Sequence, residues 1–84
     1  MNNKVCINLI VPILEARYNV FVPVNKKTIE IIFLLNKAIS NMTNDSYKIN
    51  DQSKLINADT GVIYDVNLTI KENDIMNSST LILL

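Results

Sequence analysis

Ser79-Thr80-Leu81-Ile82-Leu83-Leu84 closes the sequence with four aliphatic side chains in a row and no charge. A run of that kind reads as a strand inside a sheet, because a fraying terminus is ordinarily polar. A buried strand needs neighbours on both sides, so the remaining residues must build a sheet around it. Eighty-four residues make one domain, spanning 1–84. A chain this short buries only about 60% of its unfolded surface, so one core must take up most of the apolar side chains.

Four further strands, the last of them brief, and one helix are legible upstream. Val5-Cys6-Ile7-Asn8-Leu9-Ile10-Val11 is rich in β-branched residues. Asn8 sets its parity: Ile7, Leu9 and Val11 point inward, and Cys6 and Ile10 share the Asn8 face. Pro12 ends or bends this strand, residues 14–17 connect, and Tyr18 to Val24 returns as a hairpin partner with Pro23 at an edge or strand end. The period then changes. Thr28 is the predicted N-cap, with Glu30 in the first turn, where a carboxylate suits the helix dipole. From Ile29 to about Met42, one arc of the helical wheel holds Ile31, Ile32, Leu35, Ala38, Ile39 and Met42, and Glu30, Lys37, Ser40 and Asn41 lie opposite. Phe33 and Leu34 fall towards the polar arc. They either close the margin of the core or form an exposed apolar contact. Asn44 is suited to the left-handed stop that follows.

After a polar loop over residues 47–53, Lys54 to Ala58 is a short strand, and Asp59-Thr60-Gly61 makes a turn with the one glycine of the chain. Val62 to Asp65 is a brief further strand. Thr69 to Asn77 is polar, anchored by Ile70 and Ile75, and reads as a short turn of helix.

Catalytic equipment is sparse. Histidine is absent, which removes the commonest general base and metal ligand. Cys6 sits within a strand and is read as structural. The aspartates are scattered through loops without the alternating oxygen ligands and glycine of a calcium loop, and one glycine cannot form a phosphate cradle. No cofactor or metal is therefore expected. Eight basic and eight acidic residues cancel, which argues against nucleic acid as a partner. A single cysteine excludes an internal disulfide and fits the reducing cytoplasm. The opening residues carry neither a signal peptide's cleavage site nor the length of a membrane span.

The order strand, strand, helix, strand, short strand, helical turn, strand resembles the β-grasp fold of ubiquitin. Specific stretches carry the resemblance. Leu55-Ile56-Asn57-Ala58 is similar to ubiquitin's Leu-Ile-Phe-Ala strand. Thr69-Ile70-Lys71-Glu72-Asn73-Asp74-Ile75 is similar to its Thr-Leu-Ser-Asp-Tyr-Asn-Ile segment. Ser79-Thr80-Leu81-Ile82-Leu83 is similar to its Ser-Thr-Leu-His-Leu strand, at the same spacing from the preceding isoleucine, and Thr28-Ile29-Glu30 matches the opening of its helix. The resemblance implies an α+β fold, a mixed sheet of four to five strands packed on one α-helix. It places the terminal strand between the first strand and the 54–58 strand, parallel to the first.

Ubiquitin and the β-grasp sulfur carriers bear a Gly-Gly tail beyond this strand. The sequence has none after Leu83-Leu84, so conjugation and sulfur transfer are not expected of it as it stands. The alternative is a carrier whose tail is absent from this sequence. In size and in lacking that tail, the sequence resembles the small bacterial ubiquitin-like proteins that accompany type VII secretion systems. The resemblance thus implies a non-catalytic protein-interaction module, an accessory of such a system, open to self-association. Alternation along the strands puts Ile82 and Leu84 on the helix-free face of the sheet, next to Ile56 and across from Ile10 and Cys6. Those five residues are the expected protein-binding site, since the resemblance assigns ubiquitin's recognition patch to that face.

Overall fold

A computed structural model describes residues 3–84. Strand β1 (Lys4–Val11) runs into a 3-10 turn over Pro12–Leu14. Proline's fixed φ suits the first position of that turn, and Glu15 at φ 50 completes the reversal by donating its N–H to the Pro12 carbonyl at 2.9 Å. Strand β2 (Ala16–Pro23) therefore begins two residues ahead of the predicted Tyr18. Helix α1 (Thr28–Met42) follows, then β3 (Leu55–Asn57) and β4 (Thr80–Leu83). The sheet order is β2-β1-β4-β3. The β1–β2 and β3–β4 pairs are antiparallel, and β1–β4 is parallel. The aliphatic terminal run thus takes the central position that its composition demanded, and Pro23 lies at the end of an edge strand.

The core lies between α1 and one face of this sheet. Ile7, Leu9 and Val11 from β1, Leu55 from β3, and Leu81 and Leu83 from β4 meet Ile31, Ile32, Leu35 and Ile39 of the helix. Ile70 and Ile75 close it from below.

Four expectations are corrected. Thr28 is the first helical residue and Lys27 the N-cap, with no side-chain cap. The helix needs none, because the Leu68 and Val66 carbonyls accept the N–H groups of Thr28 and Ile29. Thr28 instead turns its hydroxyl inward, donating to the Leu68 carbonyl and accepting from the Asn73 amide. Ala38 and Met42 are exposed, and Asn36 and Ser40 are buried in their place. The loop after the helix folds back over the Asn36 side, bringing Tyr47, read as part of a polar loop, into the core. Val62–Asp65 is no strand: it makes one isolated bridge, Ile56 to Ile63, so the sheet has four strands.

The Thr69–Asn77 stretch holds the expected short turn of helix, closed at both ends between Thr69 and Ile75. Thr69 and Glu72 satisfy each other's backbone N–H at 2.9 and 3.0 Å, a capping box. At the other end Asp74, at φ 57, donates to Lys71, and Ile75 donates to Ile70, the paired bonds of a Schellman stop. Asn44, at φ 52, ends α1 with the same pattern: Asn44 donates to Asn41 and Asp45 to Ser40.

Candidate interaction surface

The face of the sheet turned away from α1 is built from the alternate residues of the same strands. The register aligns Arg17, Ile10, Ile82 and Ile56 in one row across β2, β1, β4 and β3. The Ile56–Ile63 bridge extends the row beyond β3. With adjacent strands about 4.8 Å apart, this row is about 19 Å long. Ile10, Ile82 and Ile56 are half-buried against one another, and Ile63 is exposed. Leu84 directly follows β4 and is 56% exposed. Its backbone continues the ladder, exchanging bonds of 2.9 and 2.8 Å with Lys54. Arg17 and Lys54 give the aliphatic row a basic edge at each side.

Four of the five expected residues, Ile10, Ile56, Ile82 and Leu84, are thereby brought together. Cys6 is on the same face but apart: four residues of strand, about 13 Å, separate it from Ile10. Between them runs a polar row of Asn19, Asn8 and Thr80. The backbone around Cys6 is held by the segment before β4, since the Asn77 side-chain oxygen accepts the Cys6 N–H at 2.8 Å and Ser78 donates to the Cys6 carbonyl. The neighbour of Cys6 across the ladder is Phe21, 65% exposed.

Solved structures share this architecture. The ubiquitin-like domain of EccD5 from Mycobacterium xenopi superposes with a TM-score of 0.80 at 13% identity, covering 99% of this chain and 94% of that one. The ubiquitin-like domain of the Mycobacterium tuberculosis type VII secretion system protein EccD1 gives a TM-score of 0.74 at 9% identity, covering 100% and 99%. The N-terminal ubiquitin-like domain in the 4931431F19Rik protein gives 0.70 at 18% identity, covering 100% and 76%. The chain has the ubiquitin-like β-grasp fold. No family model matches it, and no curated protein matches it in sequence.

Within this ubiquitin-like fold, two contributors to the open face were not anticipated. Ile63 joins the row because Val62–Asp65 runs back along β3: Asn57 donates to the Val62 carbonyl and Tyr64 to the Leu55 carbonyl, both at 2.9 Å. The predicted short strand held that signal, since pairing Ile63 with Ile56 puts both on one face. Burial raises the Tyr64 phenol above its ordinary value, with a hydrogen bond to Asn57 opposing and the Asp59 charge adding to the rise. Phe21 was legible by parity alone, because Val20 and Val22 face the core. On the helix, Phe33 and Leu34 are exposed rather than closing the core, and the Lys37 ammonium lies 5.9 Å from the Phe33 ring. Among the described residues no three of His, Cys, Asp and Glu come together as a metal site. No helix among them is long and apolar enough to cross a membrane.

Proposed function

We propose that this ubiquitin-like domain is a non-catalytic interaction module that docks a protein partner on the helix-free face of its sheet. The observation that carries the reading is the row Ile10–Ile82–Ile56, with Leu84 beside it and Ile63 at its end. A contiguous aliphatic strip with basic margins is the usual make-up of an interface: an apolar centre within a polar rim. The margins, Arg17 and Lys54, suit a partner whose apolar contact is bordered by acidic residues. The partner is proposed to belong to a bacterial secretion machinery with the domain acting in the cytoplasm, a reading supported by the likeness to the EccD domains.

Affinity capture from cells of the source organism, with the native domain and an Ile56→Asp variant side by side, tests both parts. Ile56 is half-exposed, so the charge can reach water and the variant should fold. The expected result is a captured set that includes secretion components and disappears with Ile56→Asp. A folded variant that captures the same set would place the contact elsewhere.

A further inference from the structure

The two edges of the sheet are treated differently. A free edge is a template for pairing, and proteins guard it by shortening, covering or bulging the strand. Strand β3 is so guarded. It is three residues long, and the 62–64 segment takes up its outward Asn57 N–H and Leu55 carbonyl. Strand β2 has none of these three, and only Arg17 within it carries a charge. It is eight residues long, and its register with β1 runs from Lys4↔Pro23 to Val11↔Ala16 without a bulge. Its single proline is the last residue. Val24 donates to Asn3 across the ladder at 2.8 Å. Even-numbered residues of β2 therefore bond inward to β1, and the N–H and carbonyl groups of Arg17, Asn19 and Phe21 point out of the sheet.

We infer that β2 pairs antiparallel with β2 of a second copy of this chain, on a twofold axis at Asn19, joining the two sheets into one. In that register Asn19 faces its own counterpart, and Arg17 faces the partner copy's Phe21. Every outward N–H of the edge then meets an outward carbonyl. The side chains match on both faces. On the open face the Arg17 guanidinium lies against the exposed Phe21 ring, a favourable cation–π pair, and the two Asn19 amides can bond to each other. On the helix side Val20 meets Tyr18 and Val22 meets Ala16. These pairs extend the apolar groove that Val20, Val22, Leu34 and Ala38 form between β2 and α1. A chain whose eight basic and eight acidic residues cancel sets up no net repulsion between copies.

Sedimentation equilibrium across a concentration series reads the association directly. The native protein is expected to move from 9.5 kDa towards twice that mass as concentration rises. Asn19→Pro removes one outward N–H and none of the β1–β2 bonds, so the folded variant should stay at the monomer mass. Should that variant fail to fold, amide hydrogen exchange on the native protein decides. The Arg17, Asn19 and Phe21 amides should gain at least tenfold protection between dilute and concentrated samples, with Val20 and Val22 unchanged. Ile56→Asp should leave the dimer intact, which separates this interface from the open-face site. A native protein that remains monomeric to millimolar concentration overturns the inference. So does a dimer that survives in folded Asn19→Pro or dissolves in Ile56→Asp. A monomeric protein that loses a different protein partner in Asn19→Pro would assign the edge to that partner's strand and overturn it equally.

Discussion

Leu81 and Ile82 are adjacent in one strand and live in different media. Leu81 has no exposed surface, packed among the helix and its neighbours on β1 and β3. Ile82 points the other way, into a half-exposed row. The same alternation divides Leu9 from Ile10 and Leu55 from Ile56. The core face is aliphatic along β1 and β4, and the open face is so only along the Ile10–Ile82–Ile56 row, where residue type alone cannot distinguish the two. The difference comes from the helix, which covers only one. Residues that face α1 are fixed by packing and answer to stability. Residues that face away from it keep their apolar surface in contact with water, and that surface is available for binding.

The largest test of this contrast is Leu81→Ala. The residue is fully buried at the centre of the central strand, so truncation leaves a cavity that its neighbours can only partly fill. The expected loss is about 2–5 kcal/mol, a large share of a small domain's stability. Urea denaturation measures it. An unchanged midpoint would mean that the helix does not seal this face as described.

Asn36→Ala is expected to cost less, about 1–3 kcal/mol, and for a different reason. Asn36 is buried, and its side chain donates to the Ile32 carbonyl at 2.9 Å and to Ser53. Its oxygen accepts the Tyr47 hydroxyl at 2.9 Å and the Asn50 N–H at 3.4 Å. Removing it leaves a buried phenol without that partner and frees the loop that seals the helix side. Limited proteolysis within residues 43–54 should accelerate along with the fall in stability. If only stability falls and the loop stays resistant, the loop is held by Tyr47 packing rather than by this amide.

That network marks where legibility in the sequence stops. The strand parities were readable because Asn8 breaks an aliphatic run at one position, and a single polar residue fixes a period of two. The terminal strand was readable because four uncharged aliphatics have few other stable homes. The helix stripe was readable to within one step of the wheel. It was misread at Ala38, Ser40 and Met42, and Asn36 was left off both arcs, because a polar residue counts as outward until a partner for it is known. Partners for Asn36 come from Tyr47 and Ser53, and nothing local announces them. The capped turn at Thr69 was found as a helical turn, and the lack of a side-chain cap on α1 was not, because the carbonyls that satisfy the helix, those of Leu68 and Val66, lie far downstream in sequence. At the candidate site the row was predicted nearly whole. Cys6 was included because parity shows the face a residue occupies and not how far along the strand the apolar strip extends.

The smallest expected effect is the sharpest comparison, since it is read one residue away from the largest. Ile82→Thr keeps the β-branched shape that suits a strand, so the backbone preference is retained. The threonine hydroxyl can reach water from a half-exposed position, so no buried polar group is stranded. What is lost is part of the contact with Ile10 and Ile56, its partners across the two ladders. Cross-strand pairs of this kind contribute roughly 0.2–1 kcal/mol, so the variant should unfold within about 1 kcal/mol of the native protein. Leu81→Thr, made in parallel, should be several times more costly, because the same hydroxyl would enter a sealed core. Binding should reverse the order: Ile82→Thr interrupts the middle of the aliphatic row and is expected to weaken partner capture, whereas a conservative Leu81→Met should not. If the two threonine variants lose equal stability, the open face is not open. The row would then be a second core, already covered by something bound to it.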